Sequence, residues 1–225
     1  MALSVVIPTL NAEAGLAGCI GALARLPGEV VVVDGGSSDG TVELAARLGA
    51  LVVQAPRGRG RQLAAGVAAA RGDWLLLLHA DTRLAPDWAA VAYPFMAAQA
   101  GAASPGKAGY FRFRLDAAEP EARRLEVLVA WRCRRLGLPY GDQGLLISRA
   151  LLDEVGGIAD LPLMEDVDLV RRIGRGRLVA LQVDAVTSAV RFRRDGWWGR
   201  PVRNLVCLGM YFAGVPVRWI ARVYG

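Results

Sequence analysis

The sequence predicts an α/β fold, a mostly parallel sheet sandwiched by helices, and three observations predict it. Apolar runs rich in β-branched side chains recur at residues 3–7, 29–33, 51–54 and 73–78. Stretches of alanine and leucine with helical length alternate with them. The runs are apolar at almost every position, as strands must be when helices cover both faces of a parallel sheet. With 225 residues, 54% of them hydrophobic and 21% charged, the chain is long enough for one well-buried domain and too apolar to be disordered.

The elements follow in order. Residues 3–7 read as a strand stopped by Pro8, and 12–26 as a helix. A second strand at 29–33 leads through a polar turn at 34–40 into a helix at 41–48 that Gly49 terminates. The third strand, 51–54, precedes a helix at 61–71 with Gly72 as its stop, and 73–78 is the most apolar strand of the chain. Beyond Pro86 the pattern loosens. Tyr110, Phe111, Arg112, Phe113 and Arg114 alternate within a strand at 109–115 that shows one face to solvent. Residues 119–135 read as a charged helix, 145–148 as a short strand and 150–155 as a helix ended by Gly156 and Gly157. A helix at 165–173 and one or two strands within 178–190 follow.

The segment 205–217 is strongly apolar and flanked by Arg200, Arg203, Arg218 and Arg222. It is too short to span a bilayer, which takes about 20 apolar residues. Two placements stay open. One is a helix on a membrane surface with Trp197, Trp198, Trp219 and Tyr224 at the interface; the other is a terminal helix packed on the core or against a second subunit.

Composition narrows the function classes. The net charge of +6 comes almost wholly from arginine, Lys107 being the single lysine. These arginines are dispersed rather than gathered on one face with stacking aromatics, which argues against nucleic acid as a partner. Cys19, Cys133 and Cys207 lie far apart with no Cys-x-x-Cys pair, so neither a disulfide framework nor a structural zinc site is expected. Residues 1–10 lack a basic leader and reach Pro8 early, and the expectation is a cytoplasmic protein.

Open parallel sheets bind ligands beyond the carboxyl ends of their strands, and four such ends are polar here. Pro8, Thr9 and Asn11 follow the first strand, with short groups suited to a base or ribose. Asp34 opens the turn after the second and can accept from an imide or hydroxyl; Asp39 and Thr41 in the same turn also fit helix capping. Arg57, Arg59 and Arg61 stand among Gly58 and Gly60 before Gln62, a basic loop that either holds diphosphate oxygens or is simply solvated. His79, Ala80 and Asp81 follow the fourth strand, where alternation projects His79 and Asp81 together. A carboxylate there suits Mg²⁺ or Mn²⁺ bridging phosphates, and an imidazole suits Mn²⁺ better than Mg²⁺. His79 also fits a hydrogen-bonded, half-buried role. Glu165, Asp166 and Asp168 open a helix; they serve either the helix dipole or a general base. Gly141, Asp142, Gln143 and Gly144 either reach a ligand or make a tight turn.

Taken in order, SVVIPTLNAEAGL, VVVDGGSSDGT, GRGRQLAAGVAAARGDWLLLLHADT and LMEDVDL resemble inverting family-2 glycosyltransferases of the Rossmann-like GT-A fold. The resemblance covers residues 3 to about 192. GRGRQ, LHADTRL and YGDQGLLISRALLDEVGG together look most like the bacterial subgroup described as radical-SAM/selenodomain-associated transferases.

The resemblance implies a glycosyltransferase domain at residues 1–192, followed by a C-terminal helical extension at 193–225. It implies a nucleotide-sugar donor, above all a UDP-sugar, a divalent Mn²⁺ or Mg²⁺, and transfer with inversion to a small-molecule or lipid acceptor. By the same resemblance Pro8, Thr9, Asn11 and Asp34 line the nucleoside site, Arg61 and Gln62 lie near the nucleotide, and Ala80 sits between His79 and the metal-binding Asp81. Asp166, with Glu165 beside it, is the base, and Asp142 and Gln143 lie toward the donor sugar or acceptor. The sequence departs from the family pattern in three places. Gly35 stands where a second acid often follows Asp34, His79 stands at the first acid of Asp-x-Asp, and Ser188 to Phe192 replaces the Gln-x-x-Arg-Trp of processive enzymes. Single-sugar transfer is therefore expected rather than polymer synthesis. The alternative from another class is a nucleotide-sugar-binding protein of this fold without transferase activity; a peripheral contact with the inner face of the membrane and a homodimer complete the expected partners. A nucleotidyltransferase is disfavoured, because no glycine-rich Arg-Lys loop follows the first strand.

Overall fold

A computed structural model describes residues 1–23, 28–99 and 106–224. In chain order the elements are β1 (Leu3–Thr9), α1 (Glu13–Ala22), β2 (Gly28–Asp34), α2 (Thr41–Arg47), β3 (Leu51–Gln54), α3 (Arg59–Ala69) and β4 (Trp74–Leu77). Next come β5 (Thr82–Leu84), α4 (Trp88–Gln99), β6 (Ala108–Leu115), α5 (Pro120–Leu136), β7 (Leu145–Ser148), α6 (Arg149–Glu154) and α7 (Glu165–Ile173). The chain continues through β8 (Leu178–Thr187), α8 (Val190–Asp195), α9 (Gly199–Phe212) and α10 (Val217–Tyr224).

The strands form one sheet in the order β3-β2-β1-β4-β7-β6-β8-β5. Pairing is parallel from β3 to β4 and between β6 and β8; β7 runs antiparallel to both β4 and β6, and β5 to β8. The continuous apolar runs divide by pleat. Val6, Val31, Val33, Leu75 and Leu77 face one cluster with α3, α6, α7, α9 and α10, while Val5, Ile7, Val32, Leu76 and Leu78 face a second with α1 and α4. Both faces are covered, as all-apolar strands require. Gly66 brings α3 onto the sheet: a Cβ there would lie 2.3 Å from Val6 Cγ1 and 2.7 Å from Val33 Cγ2.

Several boundaries move. Pro8 does not stop β1, which stays paired through Thr9 to Asp34; parallel pairing at the strand end tolerates its missing N–H. The helix predicted over 12–26 runs Glu13–Ala22, and residues 24–27 lie outside the described residues. The basic run, expected as a loop opening a helix at 61, is helical from Arg59 onward, with Gly58 at φ 140° as the entry. Residues 178–190 give one strand and the start of α8, and the apolar segment 205–217 is not one helix. Gly214 at φ 77°, followed by Pro216, breaks it into α9 and α10.

Candidate active site

The carboxyl ends of β1, β2 and β4 open on one edge of the sheet, where α3, α7 and the turn Gly141–Gln143 meet them. Asp34 is buried, and its own turn holds it. Oδ2 accepts from Gly36 N and Ser37 N, both at 2.9 Å, and Oδ1 from Thr9 Oγ1 at 3.3 Å and from Ser37 Oγ. Burial pushes the Asp34 carboxyl up, and the hydrogen bonds from Ser37 and Gly36 outweigh it, holding the group below the usual carboxylate range. Asn11, at φ 49°, accepts Ser38 N at 2.8 Å and so ties the first loop to the second.

Gln62 is buried, and its Nε2 donates to Thr9 O at 2.7 Å and Val33 O at 2.9 Å. The side chain braces the ends of β1 and β2 rather than facing a ligand. It also bears on Gly35: a Cβ at that position would lie 3.0 Å from the Gln62 amide nitrogen, so a larger residue there would press on the brace. Asp39 accepts Glu13 N at 3.2 Å and Thr41 N at 3.1 Å, while the Glu13 carboxylate accepts Gly40 N at 3.1 Å. The starts of α1 and α2 are thereby latched to each other.

Around β4 the sequence expectation changes hands. Arg61 points to solvent and pairs with Asp160 at 2.7 Å. Arg59, two residues earlier and so on the opposite side of the helix, turns inward instead. Its Nε lies 3.2 Å from Glu165 Oε1, and its Nη2 donates to the imidazole of His79. Burial, then Arg59 and Arg191, drive the imidazole well below its ordinary value, so His79 is neutral and accepts from the guanidinium. Asp81 is half-buried, with Arg191 Nη1 3.9 Å from its Oδ2, and Ala80 is buried in the turn between them.

The Glu–Asp pair at the start of α7 splits. Glu165 is 2% exposed; burial, against the pull of Arg59 and helped by Asp166, raises it to about 7, and its Oε2 has no partner. Asp166 is half-buried and held by two N–H groups, Gly141 N to Oδ2 at 2.8 Å and Val167 N to Oδ1 at 2.7 Å. Met164 enters the helix in the left-handed region at φ 66°, which sets the direction of both acids. His79, Tyr140, Gly141, Glu165 and Asp166 line a cavity whose other walls include Leu63, Leu145, Ile158 and Val170.

Beside Asp166, the Asp142 carboxyl is raised by burial to about 6, against Arg132 and with Asp166 adding to the rise, and its Oδ1 is buried without a partner. Gln143 is a structural plug: Nε2 donates to Phe111 O at 3.0 Å, and Oε1 accepts Cys133 Sγ at 3.1 Å and Arg132 Nη2 at 3.3 Å. The sequence groups Arg59 with Arg57 and Arg61 as diphosphate contacts, and what it does not show is that Arg59 turns to Glu165 and His79. The signal was the helix start at Gly58, which sends alternate arginines of the Gly-Arg-Gly-Arg run to opposite sides.

No three His, Cys, Asp or Glu side chains converge as a metal cluster among the described residues. Asp81 offers a half-buried carboxylate whose nearest charged partner, Arg191 Nη1, is 3.9 Å away, a donor that suits a hard cation whose other ligands are phosphate oxygens and water. The imidazole of His79 is engaged by Arg59.

The family model described as glycosyl transferase family 2 matches residues 4–150. A low-salt glycan biosynthesis hexosyltransferase of Haloferax volcanii is 46% identical over 87 residues, 35% of this chain and 21% of that protein. A PGL/p-HBAD biosynthesis glycosyltransferase of Mycobacterium bovis is 40% identical over 91 residues, 36% of each chain. The matched stretch thus spans about a fifth to a third of those relatives' lengths. Among solved structures, Staphylococcus aureus TarS 1–349 in complex with UDP superposes with a TM-score of 0.64 at 18% identity, over 100% of this chain and 70% of that one. Glucosyl-3-phosphoglycerate synthase of Mycobacterium tuberculosis, in complex with Mn²⁺, UDP and glucosyl-3-phosphoglycerate, gives 0.61 at 21% identity over 96% and 81%. These likenesses show the fold, and the family model covers more than half of the sequence. The chain belongs to glycosyl transferase family 2.

Proposed function

We propose that this chain transfers a single sugar from a nucleotide-sugar, a UDP-sugar first of all, to the hydroxyl of a small-molecule or lipid acceptor with inversion. The observation that carries the reading is the split of the acidic pair: Asp166 is fixed by two backbone N–H groups at the cavity, while Glu165 is withdrawn onto Arg59. Each Asp166 oxygen keeps a lone pair beyond the one its N–H donor uses, so the carboxylate takes the acceptor's proton as the acceptor oxygen bonds to the sugar. The bond from the sugar to the nucleotide breaks on the opposite side, and the diphosphate departs. A divalent cation on Asp81, when bound, neutralises that departing charge. Arg59 holds the Glu165 side chain away from the acceptor and keeps His79 oriented; Asn11 and the Asp34 turn shape the loops where the nucleoside lies.

The subgroup resemblance, the metal and the inside of the cell as location belong to this reading. Support comes from family membership and from neighbours whose structures contain UDP and Mn²⁺. The test is incubation with UDP-sugars and a panel of hydroxyl acceptors, reading the anomeric configuration of the product by NMR. Transfer with inversion is expected. Tight UDP binding with no turnover would hand the site to the binding-only reading, and retention at the anomeric carbon would remove Asp166 as a simple base.

A further inference from the structure

The charge of the molecule is divided unevenly. Residues 1–189 contain 20 basic and 20 acidic side chains, whereas residues 190–225 contain seven arginines and one acid, Asp195. The whole formal charge of +6 therefore sits on the C-terminal helices. These helices are anchored from within, since Cys207 and Leu208 of α9 and Ile220 of α10 are buried in the core cluster beneath the sheet.

Their outer faces are apolar. Val202, Leu205, Val206 and Phe212 recur at helical spacing along α9 with exposures of 56%, 67%, 49% and 52%. On α10, Trp219 and Val223 stand one turn apart, each 47% exposed. Arg218 and Arg222 lie beside them in solvent, Arg222 packs over the Trp219 ring at 4.4 Å, and Arg203 flanks the α9 stripe. Among the described residues Arg203, Arg218 and Arg222 form no ion pair with an acid. An exposed apolar stripe bordered by unpaired arginines and an indole is the composition of a helix that lies in a lipid interface.

We infer that the outer face of α9 and α10 docks on an anionic phospholipid bilayer, with the apolar stripe in the acyl boundary and the arginines at the headgroups. Charge decides between this occupant and a second copy of the chain: self-association through the stripe would press two like-charged arginine sets together. An anionic surface meets the same set with the opposite sign. The inference stands apart from the transfer reading, because the apolar stripe and the arginines beside it, Arg203, Arg218 and Arg222, lie outside the site.

The test is flotation of the full chain with vesicles of phosphatidylcholine alone and of phosphatidylcholine with about one-third phosphatidylglycerol, a surface the arginines should favour. Association with the anionic vesicles is expected, weak or absent on the neutral ones, and lowered about tenfold by high salt through screening. Leu205→Glu is expected to lower partitioning about tenfold, and R218E with R222E at least as much. These side chains are exposed, so thermal unfolding should not move; it is recorded for each variant, and Leu205→Ala is the milder second probe. Absence of flotation with anionic vesicles at low salt overturns the inference, as does flotation that neither Leu205 variant changes. A dimer in sedimentation equilibrium that Leu205→Glu dissociates, without vesicle binding, assigns the face to a second copy instead.

Discussion

Arg59 and Glu165 face each other across the sheet edge, Nε to Oε1 at 3.2 Å, although 106 positions separate them in the chain. The pair joins the first turn of α3 to the first turn of α7, and the carboxyl is the more deeply buried partner. Burial raises Glu165 to about 7 from the ordinary value of 4.5. The folded state therefore holds its proton where the unfolded state has lost it, and Glu165 contributes stability below about pH 4.5 that is lost as pH rises through about 7. His79 works in the opposite direction in part of this window, because its folded pKa is depressed. The clean readout is thus a difference. Glu165→Gln, a mimic of the protonated acid, should match wild type near pH 5 and gain on it toward pH 8, by urea midpoints measured at each pH. A difference that stays flat between those pH values would refute the assignment.

Asp166→Asn should lower transfer by about 10²–10⁴-fold, the usual contribution of a positioned base. The amide oxygen still accepts one of the two backbone N–H bonds, so UDP affinity by calorimetry should stay within about twofold, well under the tenfold that 1.4 kcal/mol represents. Loss of nucleotide binding in this variant would contradict the role.

Asp81→Ala should abolish any Mn²⁺-dependent gain in UDP affinity, whereas His79→Asn should keep it, because the imidazole is turned to Arg59. Calorimetric titrations with and without Mn²⁺ on both variants settle which side chain is the ligand. Equal loss in both would restore His79 to the metal.

Gln62→Leu should destabilise the fold by about 1–3 kcal/mol, since the buried Thr9 and Val33 carbonyls lose their side-chain donor. Chemical denaturation measures it. A change under about 0.5 kcal/mol, the range of ordinary surface substitutions, would show that water replaces the amide without penalty.

The strands β1, β2 and β4 were legible because they are buried on both faces, which leaves a near-continuous apolar signature in the sequence, while the edge strand β3, with Leu51 exposed, showed only as a short apolar run. Helix α4 was not, since Pro94 lies inside it and breaks the pattern on which a helix is recognised. Strand β5 has three residues, too few for any periodicity, and its partner β8 lies far along the chain. At the site, the polar strand ends could be located from sequence, but the direction of each side chain could not. Gln62 and Gln143 read as ligand contacts because a buried amide bonded to backbone carbonyls has the same sequence signature as one facing a nucleotide. Arg59 and Arg61 exchanged parts for a related reason: the helix starts at Arg59, two residues earlier than the sequence predicts, and two residues on a helix reverse the side a guanidinium faces.

The latch between Glu13 and Asp39 has a consequence for how an anion is received. The amino end of a helix carries roughly half a positive charge and attracts phosphate when its N–H groups point outward. Here Asp39 and Glu13 carboxylates already sit on those groups at the starts of α1 and α2. Of the helices that begin at this edge, α1 and α2 are electrically quenched by these acids, and α7 carries its own acids, Glu165 and Asp166, in its first turn. If the proposed transfer holds, a diphosphate would meet its attraction at the start of α3, whose first residue is Arg59, and the nucleotide would be drawn to one corner of the edge rather than spread along it.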